Sequence, residues 1–479
     1  MNSVPLIVDL DGTLIHTDML HETTLKVARD DPCALLRMPK WLASGKAVLK
    51  KHLATRVKVD PTVLPYNQEL INWLLQEKAQ GRRLILCTAS DRILAEPIAA
   101  HLELFDEVIA SDGDLNIAGK NKAEVLSKKF GVGQFDYVGN SGADLIVWKV
   151  ARKSIVVNAS DQTLKLAEQL GNIQRTFPRR TVGIKGVAKM LRVHQWLKNL
   201  LVFIPLMAAH EWLNLTSLVQ LLFAIVSFSL CASSVYIAND LLDLESDRMH
   251  MRKRNRPFAS GLIPAWLGVA VAPVLLFCSA VLAIWVGWYF FACLSVYFVL
   301  TCAYSWTLKR LILVDCLTLA ILYTLRIIAG AAAIRMSLSF WLLAFSVFLF
   351  LSLAFVKRYA EIELQILSGK EKLHGRGYLT SDASLIQTMG IAAGYSSVLV
   401  LALYLNSDAV TTLYTSPEIV WLAVPIMVFW VSWMWMQAHR GNMHDDPLVF
   451  AVKDRASLVA GILFAGVLAL GTVGVSWAW

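Results

Sequence analysis

Charge is scarce in this chain: Asp, Glu, Lys and Arg make up 17% of its 479 residues, and the 36 acidic residues are outnumbered by 45 basic ones. With 56% hydrophobic residues and a mean hydropathy of +0.53, a wholly soluble protein is excluded. Cysteine is sparse too. None of the seven cysteines forms a pair at metal-type spacing, so no disulfide framework is expected and they read as small core residues in a reducing compartment. No signal peptide is expected, because Pro5 to Val8 is too short an apolar run and meets Asp9 at once. The chain is expected to begin in the cytoplasm. The basic excess does not point to nucleic acid, since it gathers in a linker and in alternate loops, as membrane orientation requires.

What is present falls into two parts. Up to Phe177 charged and apolar residues mix as in a globular domain, and from Trp196 onward apolar runs alternate with short charged loops. The expected division is a soluble domain at 1–177, a basic amphipathic linker at 178–197 and a membrane domain at 198–479. Nine spans are expected, at 198–211, 216–240, 264–284, 288–306, 313–333, 339–356, 385–405, 418–438 and 457–478. The run from Pro264 to Tyr304 must fold back near Gly287. The loops after spans two, four, six and eight hold nearly all the Lys and Arg, which places them in the cytoplasm and the C-terminus outside.

In the soluble part, a β-rich run ends in Asp9-Leu10-Asp11-Gly12-Thr13. Asp9 and Asp11 share a strand face, and Gly12 allows a sharp turn at the edge where open α/β sheets bind ligands. Further strands end in Thr88-Ala89-Ser90-Asp91 and in Gly139-Asn140-Ser141-Gly142-Ala143-Asp144, with a helix over Gln68 to Ala79 between the first two. Strands alternating with helices predict an α/β, doubly wound sheet. The set Asp-x-Asp-Gly-Thr, strand-end Thr, Lys and Gly-Asn-x-x-x-Asp resembles the haloacid dehalogenase (HAD) superfamily of phosphohydrolases. The resemblance implies that Asp9 is the nucleophile and Asp11 the acid and base, with Thr88 binding phosphoryl oxygens and Lys122, or else Lys120, neutralising charge. It also implies that Asp9, the carbonyl of Asp11, and Asp144 ligate Mg²⁺. Asn140 stands where that family often has an acid, which predicts weaker metal binding. The helical insertion from Met19 to Val63 reads as a small cap over the site, or as a solvated helical face.

The membrane part is organised around Asn239-Asp240-Leu241-Leu242-Asp243-Leu244-Glu245-Ser246-Asp247-Arg248, followed by Lys253, Arg254, Arg256 and Pro257. At helical pitch Asp240, Asp243 and Asp247 share a face, where a divalent cation carrying substrate phosphates relieves their repulsion. The basic residues downstream can hold those phosphates. The alternative is a solvated helix end whose charges only set orientation. Other polar sets lie in the same alternate loops: Tyr304 with Lys309 and Asp315; Lys357, Arg358 and Glu361; and Asp445 with Asp446. Arg326 lies inside a span, where a charge is costly unless it faces an internal site.

These residues resemble the UbiA superfamily of intramembrane prenyltransferases, an all-α fold of nine helices. Gln195 to Asn199, Ser234-Val235-Tyr236, Asp247 to Pro257 and Lys357 to Glu361 look closest to its polyprenyl-phosphate (decaprenyl-phosphate) phosphoribosyltransferases. The resemblance implies transfer of phosphoribose from phosphoribosyl pyrophosphate to a polyprenyl phosphate in the inner membrane. Asp240, Asp243 and Asp247 would hold Mg²⁺ on the diphosphate, and Asn239, Lys253, Arg254, Arg256, Tyr304, Lys309, Arg326, Lys357, Arg358 and Glu361 would bind substrates. The HAD-like domain would then dephosphorylate the product. Two alternatives stay open. One is prenyl transfer from a prenyl diphosphate to an aromatic acceptor, and the other is a transporter, against which no repeated halves are seen.

Overall fold

The computed structural model describes residues 4–211, 213–367, 369, 373, 376–407, 414–443 and 446–473. It divides into two compact units, one of Met1–Leu191 with Tyr236–Ala272 and one of Arg192–Val235 with Pro273–Trp479.

The first unit is built on a six-stranded sheet in the order β3-β2-β1-β4-β5-β6, with every neighbouring pair parallel. The strands are β1 (Leu6–Val8), β2 (Leu84–Asp91), β3 (Glu107–Ser111), β4 (Asp136–Gly139), β5 (Ser154–Val157) and β6 (Ile173–Phe177). Leu6 and Val8 pack into the core on one face and Ile7 into the core on the other. A parallel sheet covered on both faces needs such unbroken apolar strands. The strand order reverses between β1 and β4, so the loops after these strands open the crevice where doubly wound sheets bind ligands.

The insertion after β1 is helical, as its composition predicts: α1 (Met19–Asp30), then Met38–Ala43, then α2 (Lys46–Ala54). Asp18 caps α1, its carboxylate accepting from the Leu20 N–H at 2.8 Å. The predicted helix at Gln68–Ala79 forms as α3, and α4 spans Lys120–Phe130.

Eight helices among the described residues are long and apolar enough to cross a membrane: Leu215–Leu242 (α5), Ala265–Val286, Trp288–Trp306, Val314–Ala333, Phe340–Leu367, Thr380–Leu405, Pro417–His439 and Arg455–Val473. The chain folds back at Gly287, as expected. The first of the nine predicted spans is the exception. Val193–Phe203 winds as a 3₁₀ helix and only Ile204–Ala208 is α-helical. Pro205 stands at the start of that α-turn, where its missing N–H costs nothing. The tighter winding carries polar side chains inward, and Lys198 and Asn199 are buried.

Candidate functional site

The first group of side chains stands where β1 and β4 end. Lys122, near the start of α4, is 3% exposed and donates to Asp9 Oδ1 at 2.7 Å and to the Tyr137 hydroxyl at 2.9 Å. Lys120, the other candidate, is exposed. Tyr137 donates in turn to Asp144 Oδ1 at 2.8 Å, so a hydrogen-bonded bridge runs from Asp9 through Lys122 and Tyr137 to Asp144. Asp144 Oδ2 accepts from the Asn140 and Ser141 N–H groups at 3.1 and 2.9 Å. Asn140 packs over Gly12, where a Cβ would stand 2.1 Å from its Nδ2, and the φ of +71° there favours glycine.

Asp11 is held by three groups. Ser90 Oγ donates to its Oδ2 at 2.7 Å, Thr88 Oγ1 lies 3.4 Å from the same oxygen, and the Met19 N–H donates to its Oδ1 at 2.8 Å. Burial raises the Asp11 carboxyl above its ordinary value, with Asp18 adding to it. The same cause, joined by Asp144 and Asp11 and opposed by Lys122, pushes Asp9 up to about 7. A protonated Asp11 can donate to a leaving oxygen, and Asp9 beside Lys122 can be the anion that attacks.

The acidic stretch forms a second group. α5 ends at Leu242, Asp243 starts the short helix α6 (Leu244–Met249), and two backbone bonds bridge the break. The Asp243 N–H donates to the Asn239 carbonyl at 2.9 Å, and the Asp247 N–H to the Asp243 carbonyl at 2.8 Å. Asp240 and Asp247 therefore do share a face, and Arg256 Nη1 reaches both, at 3.1 and 2.6 Å. Burial raises the Asp247 carboxyl, while Arg256 opposes it. Lys253 and Arg254 lie exposed in a 3₁₀ turn, Lys253–Asn255.

Among the described residues no three His, Cys, Asp or Glu side chains converge closely enough to hold a metal ion. At Asp9 and Asp144, Lys122 and Tyr137 already occupy one oxygen of each carboxylate. At Asp240 and Asp247 the fit is better, because a guanidinium already stands as a cation between two carboxylates. Mg²⁺ commonly binds through one or two carboxylates and completes its shell with water and substrate phosphates.

The second unit gathers the remaining polar residues into three centres. Asp446 accepts from Lys198 at 2.7 Å, Lys357 at 3.3 Å and the Tyr323 hydroxyl at 2.9 Å. Burial alone would raise this carboxyl, but the two lysines hold it below the usual carboxylate range. Asp315 is fully buried and pairs with Arg358 at 2.6 Å, with Arg376 at 3.4 Å and with the Tyr378 hydroxyl at 2.5 Å. Arg358 also pairs with Glu361, and Arg376 donates to the Tyr304 hydroxyl at 3.1 Å. Arg326, in the third centre, is tied to Asn199 at 3.0 Å and to the Tyr297 hydroxyl at 2.9 Å. Lys309 lies in the 3₁₀ turn Leu308–Arg310, and Asp445 lies outside the described residues.

Sequence reading grouped Lys357 and Arg358 as phosphate ligands, yet their surroundings differ. The Lys357 side chain is 28% exposed, whereas that of Arg358 is wholly buried on Asp315. Tyr137, Ser90, Lys198, Tyr323 and Tyr378 were not singled out as site residues. Lys198 alone had a signal, since it stands in the Gln195 to Asn199 stretch.

A model of the UbiA prenyltransferase family matches residues 200–453, and one of haloacid dehalogenase-like hydrolases matches residues 40–145. The "Uncharacterized protein y4nM" of Sinorhizobium fredii is 36% identical over 465 residues, covering 96% of this chain and 90% of its own. Nodulation protein NoeC of Azorhizobium caulinodans is 38% identical over 269 residues, 56% of this chain and 87% of its own. The decaprenyl-phosphate phosphoribosyltransferase of Mycolicibacterium smegmatis is 31% identical over 304 residues, 61% of this chain and 92% of its own.

Proposed function

The chain belongs to the UbiA prenyltransferase family and carries a HAD-like domain at its N-terminus, and from that premise we propose that it is a membrane transferase moving phosphoribose from phosphoribosyl pyrophosphate to a polyprenyl phosphate. The observation that carries this reading is the centre at Asp446. Two lysines share one carboxylate there, which leaves a net positive charge suited to a phosphate group. Similarity to decaprenyl-phosphate phosphoribosyltransferase along most of that enzyme's length supports the same substrate class.

In this mechanism Asp240 and Asp247, with Asp243 beside them, would hold Mg²⁺, which when bound would supply positive charge to the departing pyrophosphate. An oxygen of the lipid phosphate bonds to the anomeric carbon as the C–O bond to pyrophosphate breaks. The acceptor is already an anion, so no base has to remove a proton. Arg256 exchanges its carboxylate partners for a donor phosphate, and Lys198 and Lys357 hold a second phosphate. Lys253, Arg254 and Lys309 add basic charge around the entering groups.

The HAD-like domain acts next in this reading. Asp9 attacks the 5-phosphate of the lipid product while Asp11 protonates the ribose oxygen that leaves. Asp11 then takes a proton from water, whose oxygen attacks the phosphoaspartate and releases inorganic phosphate. Both sites face the cytoplasm of the inner membrane, where the soluble donor is made. Purified protein offered phosphoribosyl pyrophosphate and prenyl diphosphate, each with its acceptor, tests the proposal by product mass. A ribosyl lipid phosphate supports it. A prenylated aromatic product, with no sugar transferred, overturns it. An Asp9→Asn variant that still yields the dephosphorylated lipid would remove the second step.

A further inference from the structure

One face of α1 is matched, rung by rung, to the acidic stretch. Glu22, Lys26 and Arg29 fall at i, i+4 and i+7, on one side of the helix. Facing them in antiparallel order are Arg248, Glu245 and the carbonyl of Leu242. Glu22 takes the Arg248 guanidinium with both oxygens, at 2.6 and 3.1 Å, and the two side chains are only 10% and 6% exposed. Lys26 reaches Glu245 at 2.6 Å. Arg29 donates to the Leu242 carbonyl at 3.3 Å, one of the orphan acceptors at the negative end of α5. Every rung pairs opposite charge or a donor with an acceptor.

Both sides of the Glu22 rung reach residues already placed in a site. On one side, Asp11 accepts from the Met19 N–H at the start of α1, and Thr17 Oγ1 donates to Glu22 at 2.6 Å. On the other, Arg248 follows Asp247 in the chain and its Nε donates to the Ala259 carbonyl at 2.9 Å. That bond ties α6 to the turn that leaves Arg256. Gly261 closes the same turn against His16, so tightly that a Cβ would stand 2.6 Å from the His16 carbonyl oxygen.

We propose that Glu22 is a positioning residue for the transferase. Through Arg248 it fixes the register of Asp247 and Arg256, so the HAD-like domain is a structural part of the transfer site whether or not it hydrolyses phosphate. The Glu22 rung outweighs the other two, because it is bidentate and desolvated, whereas Lys26 and Glu245 are 23% and 34% exposed. The inference rests on the acidic stretch being the metal-diphosphate site.

The test is a double-mutant cycle on the full chain in detergent, with Glu22→Gln, Arg248→Gln, the pair together, and the charge swap Glu22→Arg with Arg248→Glu. Two readouts are taken: the Mg²⁺ concentration for half-maximal transfer, and hydrogen exchange over residues 236–261. Each single variant is expected to raise the Mg²⁺ requirement about tenfold and to speed exchange in that segment. The pair together should be no worse than either single, and the swap should recover part of the loss. Single variants that match wild type in both readouts overturn the proposal, as do additive effects with no recovery in the swap. If wild type transfers no group at all, the proposed function fails by itself. The exchange measurement needs no substrate, and it still decides the ladder.

Discussion

Arg256 uses a single nitrogen, Nη1, to reach both Asp240 and Asp247. One guanidinium thus neutralises both carboxylates, the place that the proposed transfer would give to a divalent cation. Arg256→Gln removes that cation from two carboxylates that are 3% and 2% exposed. The metal-free variant should lose about 1–2 kcal/mol of stability, below the cost for a fully buried pair because Arg256 itself is partly exposed. Added Mg²⁺ should then raise its melting temperature more than it raises that of wild type. Equal shifts in the two proteins would show that the guanidinium does not occupy the cation's place.

Asp243→Ala should abolish transfer and leave the protein folded in the membrane. Its carbonyl, not its carboxylate, carries the ladder from α5 into α6, so alanine keeps the backbone intact. Product formation at the wild-type rate, with unchanged thermal unfolding, would contradict the role given to this side chain.

Lys122 is the charge that opposes burial at Asp9. In Lys122→Met, Asp9 should stay protonated through neutral pH, and hydrolysis of a phosphate monoester should fall by about 10²–10³-fold. A pH–rate profile checks the cause: some activity should return in the variant at higher pH, where Asp9 ionises without its partner.

Neighbouring residues on one helix are expected to behave differently. Lys357→Ala should raise the KM for the donor or the lipid, with little change in stability. Arg358→Met leaves Asp315 buried with fewer partners and should cost about 3–5 kcal/mol. The two outcomes separate in a single comparison of thermal unfolding and steady-state kinetics.

His16 gives the pH dependence. Burial first, and Arg180 second, push its imidazole down to about 4 from 6.5, and its buried Nε2 has no hydrogen-bond partner. Between those values the unfolded chain binds a proton that the folded one refuses. Its contribution is therefore complete above pH 6.5 and is lost as pH falls toward 4. His16→Leu should flatten this part of the stability curve relative to wild type, as read by thermal unfolding at several pH values.

Much of this was legible from local pattern. The turn after β1, the helix at Gln68–Ala79, the helices of the insertion and the fold-back at Gly287 all rest on residues within a few positions of one another. β3 and β6 escape sequence reading because they mix exposed and buried residues. Glu107 and Val108 are half-buried, and β6 exposes Gln174, Arg175 and Thr176. The first span was misread because its apolar run gave no sign of 3₁₀ winding. The site's hidden members are non-local: Lys198 finds Asp446 across 248 positions, and Glu22 finds Arg248 across 226. Spacing along the chain carries no trace of such pairs. Arg358 is the clearest case, because only its full burial distinguishes it from the partly exposed Lys357 beside it.

The fastening of α1 also decides how movement is passed on. This helix belongs to the insertion that lies over Asp11, and its outer face is bolted to the end of α5. The cover is thereby tied on two sides, to Asp11 through the Met19 N–H and to α6 through Glu22 and Lys26, so a displacement at either side is passed through α1 to the other.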